Sequence, residues 1–228
     1  MNNNNYCNKI GSSPYIQEVS TLKNQIEYPT IIELLFSLYD HHFSMVEQQD
    51  KDLYIKQRVI ELATALDEGK ELSYSRFTYN KNMSISNIQY GLQSMKSISA
   101  LLYLADLYNV TIHVYLQDTK TKVITSKKTK DILHVIYATN KWSAIDFPVG
   151  EYIDYKLTDF KDLSTCLHMD VSTIDVYNRY LNPISKYKLS ELIALANERN
   201  IPLISDDGKK KIKKNIYDDI NSYELNKH

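Results

Sequence analysis

Five lysines lie close together near the end of the chain and are the strongest candidates for binding chemistry: Lys209, Lys210, Lys211, Lys213 and Lys214. Their ammonium groups can neutralise the phosphates of a nucleic acid, and backbone N–H groups at the start of a helix attract phosphates as well. None of these side chains is an obvious reader of base edges, so DNA binding here would not depend on base sequence. The cluster predicts a nucleic-acid or anion-binding site.

Two short helices are predicted to position these lysines. Periodicity predicts a first helix over Lys188–Arg199, a break at Asn200 and Pro202, and a second helix over Lys209–Asn221. Cations at a helix N-terminus oppose the helix dipole, so the cluster breaks a local rule and points to a polyanionic partner. Residues 183–228 carry nine Lys and Arg against seven Asp and Glu, which makes them only weakly basic. A solvated charged surface on a helix pair that docks another protein is therefore the alternative.

Elsewhere the sequence offers isolated pairs of reactive side chains. Ser37 and His41 stand four residues apart, a spacing that lets two side chains touch on one helix face. A serine nucleophile also needs a group that orients its base and donors for the oxyanion, and no glycine-rich turn surrounds Ser37. Adjacent side chains on a helix point about 100° apart, so His41 and His42 are poorly placed to share an ion with Asp40. We therefore predict no catalytic residue, no metal site and no cofactor.

Three further groups favour structural roles. Cys166 and His168 supply two zinc ligands where a structural site needs four. His113 and His134 are predicted on neighbouring strands, where histidines are ordinary packing residues. The aromatic side chains along the predicted sheet are able to stack nucleic-acid bases, but a chain with 19 tyrosines is better explained by packing.

Composition limits the class of protein. The net charge is −1, so no global field attracts nucleic acid, and 43% hydrophobic residues suffice for a core. The N-terminus lacks the basic and apolar regions of a signal peptide, and no apolar run approaches the roughly 20 residues of a membrane span. The two cysteines are far apart, which is typical of a reducing compartment. We expect a soluble, intracellular protein without a membrane partner.

Composition and periodicity divide the chain into four parts of an α+β protein. Residues 1–25 are expected to form a flexible arm. Residues 26–150 are expected to fold as an α+β domain, in which N-terminal helices precede a small antiparallel sheet. Residues 151–182 are expected to be a connecting segment, and residues 183–228 a small C-terminal helical module.

Capping signals and alternation predict the elements of the α+β domain. Helices are predicted to start at Thr30, where Glu33 completes a capping box, at Asp50 and at Ser97. Alternating apolar residues predict strands at 111–116, 122–125, 131–138 and 141–145. The polar stretch 70–94 receives no assignment.

The C-terminal module resembles a SAP-type helix–extended loop–helix unit, a small fold that usually binds DNA. The resemblance rests on the connector Asn200–Leu203, on Gly208-Lys209-Lys210, and on apolar positions of both helices: Leu189, Leu192, Leu195, Ala196, Ile212, Ile216, Tyr217 and Ile220. It implies that the helix pair binds DNA.

The whole layout resembles uncharacterised proteins of large nucleocytoplasmic DNA viruses, which share an ending that here spans Tyr187–Leu192 and Lys209–Ile220. That resemblance implies a viral interaction or scaffold protein of the host cytoplasm or virion. DNA or another viral protein would be its partner.

A third resemblance concerns the segment Ser97–Ile145, which is similar to the helix–strand–strand half of OTU-type cysteine peptidases. In that family a nucleophilic cysteine begins an early helix and a histidine lies near the last strand. The corresponding positions fall at Ser37 and near Lys141-Trp142, so neither is matched. The resemblance implies, as the alternative function, an OTU-like peptidase or deubiquitinase that has lost activity.

Overall fold

A computed structural model describes residues 26–67, 74, 77–126, 131–146 and 154–227. Its α-helices are α1 Ile31–Tyr39, α2 Lys51–Asp67, α3 Ile85–Ser94, α4 Ile98–Leu107, α5 Leu189–Glu198 and α6 Lys213–Asn226. Its strands are β1 Val110–Leu116, β2 Thr121–Ile124, β3 Asp131–Ala138, β4 Lys141–Ile145 and β5 Lys156–Leu157. Short 3-10 turns cover Phe43–Met45, Gln48–Asp50, Phe160–Thr165 and Ile184–Lys186. The α+β class is confirmed, whereas the predicted arm at 1–25 lies outside the described residues.

The sheet has the order β4-β3-β1-β2-β5 and is mixed rather than antiparallel throughout. β1 with β2, and β3 with β4, form antiparallel hairpins as expected. The two hairpins join through β1 and β3, which run parallel with Val114 opposite Val135. Because β3 returns to the free edge of β1 instead of extending the first hairpin, the central pair is parallel. Alternating residues predict a strand but do not reveal which edge it joins.

Helices α1 and α3 begin where a capping side chain satisfies a free backbone N–H group. At α1, Glu33 N donates to Thr30 Oγ1 over 3.2 Å, which confirms Thr30 as the N-cap residue. The Thr30 hydroxyl donates to Glu33 Oε1 over 3.1 Å, so the Glu33 side chain bonds the Thr30 hydroxyl and not the Thr30 backbone N–H that a capping box requires. Ser84 caps α3, a helix that the sequence analysis leaves unassigned. Ser97 occupies the predicted N-cap position of α4, although its hydroxyl bonds Ser99 instead of the helix start.

The main core lies between one face of the sheet and the helices. Ile112 and Val114 of β1, with Val135 of β3, point toward this side and are fully buried. Helix α4 is buried along most of its length, from Ile98 to Asp106. A helix that is apolar nearly all round belongs in the interior, and α4 forms the centre of the domain.

Much of residues 156–177 packs into this same core, where a connecting segment was expected. β5 pairs with β2, and Phe160 and Leu163 are buried in the main core. Further along, Tyr177 pairs with Tyr79, and both hydroxyls donate to the buried carboxylate of Asp106. This stretch has little periodicity because short turns and single backbone bridges, not long elements, hold it in place.

The C-terminal helix pair has a small core of its own, formed by Leu181, Leu192, Ala196, Ile216, Tyr217 and Ile220. Arg199 Nε lies 2.6 Å from Glu224 Oε1 and ties the end of α5 to the end of α6. Leu225 of α6 packs against the main core, so the module contacts the α+β domain.

Candidate nucleic-acid interface

The loop between α5 and α6 is a tight hairpin rather than the start of a helix. Lys211 N donates to Leu203 O and Ser205 N donates to Lys209 O, each over 2.9 Å. Gly208 closes the turn with a φ of +77°, which a residue with a side chain rarely adopts. Three of the five lysines therefore lie on an extended segment that pairs with residues 203–205.

This pairing corrects the prediction of a helix over Lys209–Asn221. Helix α6 begins at Lys213, with Ile212 as the N-cap residue. The backbone of residues 209–211 is engaged by the hairpin and cannot also form helical hydrogen bonds. Only Lys213 and Lys214 stand in the first turn and oppose the helix dipole.

Successive side chains of the extended hairpin point to opposite sides, so Lys210 and Lys211 lie on different sides. Ile204 and Lys210 face each other in the antiparallel bridge and share one side. Leu203 and Lys211 are on the other side, where Leu203 packs against the module's core. Lys211 is only 18% exposed, and its Nζ lies 2.8 Å from Asp219 Oδ2 on α6. We therefore assign Lys211 a structural role.

Lys209 lies at the turn and is paired with an acid as well. Its Nζ is 3.1 Å from Asp207 Oδ2, but its side chain is 82% exposed. The hydroxyl of Ser205 and the ammonium of Lys209 lower the pKa of Asp207. Water screens exposed pairs strongly, so Lys209 is free to exchange this partner for another anion.

The remaining three lysines, Lys210, Lys213 and Lys214, are named the lysine surface here. Within the described ranges, none of them lies at ion-pair distance from an acid. They surround the start of α6, where the N-cap residue Ile212 offers no side-chain acceptor. Unpaired first-turn N–H groups next to ammonium groups form a place where a phosphate oxygen is favoured. The exposed carboxylate of Asp218 on the next turn reduces this local field.

Ser37 does not take part in a nucleophile–base pair. Helix α1 ends at Tyr39 and the chain turns at Asp40, so His41 is not on the helix face of Ser37. The hydroxyl of Ser37 donates to Leu34 O over 2.7 Å. The residue that pairs with Trp142 is Tyr28, before the start of α1, while Ser37 lies about two turns into the helix.

Asp40 and the adjacent histidines form no metal site. The Asp40 carboxylate is nearly fully buried and lies 2.9 Å from Arg58 Nε. The guanidinium of Arg58 compensates the negative charge of this carboxylate. The ring of His42 is exposed, and only its backbone N–H donates to Asp40. Among the described residues no group of three or more metal-ligating side chains comes together.

The prediction that His113 and His134 lie on neighbouring strands is confirmed. They are paired in the β1–β3 register, with ring centroids 5.2 Å apart and nearly perpendicular planes. Burial lowers the pKa of His113 to about 4, and His134 and Lys122 add to the effect. Tyr115 Oη lies 3.1 Å from His134 Nδ1. The contact between His113 and His134 is therefore explained as the packing of two neutral rings on one face of the sheet.

Cys166 is a half-buried thiol without the further ligands of a zinc site among the described residues. Its Sγ donates to Leu163 O over 3.3 Å, and burial raises its pKa to about 12. A thiol in this state is a poor nucleophile and a poor ligand at neutral pH. His168 is exposed and is held by backbone hydrogen bonds to Lys96 and Ile98.

Sequence reasoning missed the division among the five lysines. The sequence did contain a signal for the role of Lys211. Asp219 stands eight residues after it, a spacing at which an acid on the second turn of a helix can reach a lysine just before that helix.

Comparison with known proteins adds no assignment. The chain matches no protein-family model, no curated protein and no solved structure. In the ranges that the structure covers, no helix combines the length and apolar character needed to cross a bilayer.

Proposed function

We propose that this protein is a non-enzymatic interaction protein whose C-terminal helix pair binds the phosphate backbone of DNA. One observation carries the proposal: the lysine surface gathers three cations, none with an acidic partner among the described residues, around an uncapped helix start. The resemblance of the module to SAP-type units supports DNA as the polyanion. The resemblance to proteins of large nucleocytoplasmic DNA viruses supports a scaffold role in the host cytoplasm or virion.

The expected binding is weak and depends strongly on salt. Each lysine–phosphate contact adds roughly 0.9 to the slope of log affinity against log salt concentration. Three contacts therefore correspond to a slope of about −2.7. The chain's net charge of −1 adds no long-range attraction, so DNA binding rests on local contacts.

A salt titration of duplex DNA binding by the full chain tests the proposal. The triple variant Lys210→Gln, Lys213→Gln and Lys214→Gln should reduce the slope by about 2.7, the contribution of these three lysines. The matched control removes three exposed lysines elsewhere, Lys156, Lys161 and Lys227, and should keep the parent slope. Equal slopes for the parent and the first variant would refute binding through the lysine surface.

Docking of an acidic protein partner is the second candidate, favoured by two exposed apolar side chains beside the lysines. Ile204 is 58% exposed and Ile212 is 64% exposed. In this case Ile204→Ser with Ile212→Ser would abolish partner binding, whereas purely electrostatic DNA binding would persist. The OTU-like alternative gains no support from the arrangement around Ser37.

A further inference from the structure

A cleft of about 330 Å³ lies beside the β3–β4 hairpin, far in sequence from the lysine surface. Its walls include Pro29 before α1, Lys96 before α4, Tyr137 and Trp142 of the hairpin, Asn140 in its turn, and Cys166. A volume at the lower end of the range for small-molecule sites, roughly 300–1000 Å³, suits a ligand of one or two rings.

Two aromatic rings form a firm wall of this cleft. The ring centroids of Tyr137 and Trp142 are 4.8 Å apart with planes tilted by 49°. Trp142 is only 2% exposed, and its backbone N–H and C=O both pair with Tyr28. Trp142 therefore offers almost no surface of its own and holds Tyr137 in place, and the half-buried ring of Tyr137 presents the face on which a flat ligand stacks without loss of side-chain freedom.

The polar groups around the cleft are donors. Tyr137 Oη donates to Asn140 Oδ1 over 3.0 Å, which occupies the amide oxygen and leaves the amide NH₂ group to donate. Lys96 is exposed, and no acid among the described residues lies at ion-pair distance from it. The nearby Lys141, by contrast, is paired with Glu27 at 2.8 Å. Among the described residues that line the cleft, none carries a carboxylate, so the chemistry of these residues favours an anionic oxygen.

The cleft is built for binding rather than for covalent chemistry. The thiol of Cys166 is bonded to Leu163 O, and burial keeps it protonated at neutral pH by raising its pKa to about 12. The lining residues within the described ranges include no histidine or carboxylate that could act as a base toward the thiol.

We propose that this cleft binds a small planar ring that carries a carboxylate. The ring lies against Tyr137, which Trp142 supports from behind, and the carboxylate points to Lys96 and the amide of Asn140. This site is independent of the proposed DNA contact, so either assignment can fail without the other.

Trp142 is the only tryptophan of the chain, so its fluorescence reports directly on the cleft. The full chain is titrated with benzoate, with benzamide, which lacks the charge, and with cyclohexanecarboxylate, which lacks the flat ring. Benzoate should produce a saturable change, and the other two should bind at least fivefold more weakly. Lys96→Gln should raise the benzoate Kd about tenfold, as expected for losing a charge-assisted contact. The matched control Lys156→Gln should leave it unchanged.

A second readout uses the thiol in the wall. In a Cys7→Ser chain, Cys166 is the only cysteine, and saturating benzoate should slow its reaction with a thiol reagent about fivefold. Non-saturable fluorescence changes, equal responses to all three compounds, or an unchanged Kd in Lys96→Gln would each overturn the proposal. Lys96 is exposed, so this variant is expected to fold like the parent chain.

Discussion

Lys211 and Asp219 form an ion pair that fastens the α5–α6 hairpin onto helix α6, with 2.8 Å between Nζ and Oδ2. Because of this pair, Lys211 has a structural role, whereas the lysine surface remains available to a partner. Lys211→Gln should lower the free energy of unfolding by about 0.5–1 kcal/mol, because a partly exposed pair contributes in that range. Urea unfolding of the full chain measures the change. Lys209→Gln is the matched control and should have no measurable effect, and equal destabilisation by both would contradict this division.

Asp106 is a second anchor, because its buried carboxylate accepts hydrogen bonds from Tyr79 and Tyr177. Tyr79→Phe or Tyr177→Phe should each cost about 1.5–3 kcal/mol, the usual range for a hydrogen bond to a charged group. Thermal unfolding measures the loss. Tyr223→Phe, at an exposed position of α6, is the control and should leave the melting temperature unchanged.

Gly91 of α3 lies against two serines at the start of α4. A Cβ at this position would stand 2.1 Å from Ser97 Oγ and 2.5 Å from Ser99 Oγ. Gly91→Ala should therefore destabilise the fold by about 1–3 kcal/mol through overpacking, despite the higher helix propensity of alanine. In a Ser97→Ala background the loss should shrink, because the closest oxygen is gone. A double-mutant cycle without such coupling would mean that the contact does not limit packing.

The β3–β4 turn places Thr139 and Asn140 in the left-handed region, with φ of 50° and 61°. Threonine is strained there, whereas asparagine tolerates this backbone and is preferred in such hairpin turns. Thr139→Asn should raise the free energy of unfolding by about 0.5–1 kcal/mol. Thr119→Asn in the β1–β2 turn is the control, since the positive φ there belongs to Lys120. A gain of similar size in both variants would point to a general effect of asparagine.

His113 makes the stability of the sheet depend on pH. Its pKa is lowered to about 4 in the folded chain, so an unfolded chain binds a proton between roughly pH 6.5 and 4 that the folded chain does not. Stability is therefore complete above pH 6.5 and falls as the pH drops through this window. Because the ring is partly exposed, screening limits the loss to on the order of 1 kcal/mol.

Chemical denaturation at pH 7.5 and at pH 4.5 tests this dependence. The stability difference between the two pH values should be smaller in His113→Gln than in the parent chain. His42→Gln removes a fully solvated ring and should keep the parent difference. A parent-like difference in His113→Gln would show that other groups cause the acid sensitivity.

Local signals explain the part of the fold that could be predicted from sequence. Thr30 caps α1 as expected, because its hydroxyl and the Glu33 N–H that it accepts from lie within one turn. β3 and β4 have the predicted bounds, since a two-residue turn at 139–140 joins two alternating runs. These features depend on neighbours in the chain and are visible in the sequence.

Features that depend on distant partners could not be predicted in this way. The parallel pairing of β1 with β3 follows from the edge that β3 joins, which alternation does not encode. Helix α3 escaped notice because Asn and Gln residues dilute its apolar face, although Ser84 caps it. At the candidate site, the lysines were found but their roles were not, because Lys211 reaches Asp219 only once the hairpin has formed.

The bridge between Tyr79 and Tyr177 joins two positions almost a hundred residues apart. During synthesis, the ribosome delivers α1 to α4 and the sheet before it delivers Tyr177. The apolar surface that Phe160 and Leu163 cover stays open to water until these two residues emerge, and the Asp106 carboxylate lacks one of its hydroxyl donors until Tyr177 emerges. The nascent chain therefore completes its first domain late, and a chaperone that shields this surface would matter most in the interval before residue 177 emerges.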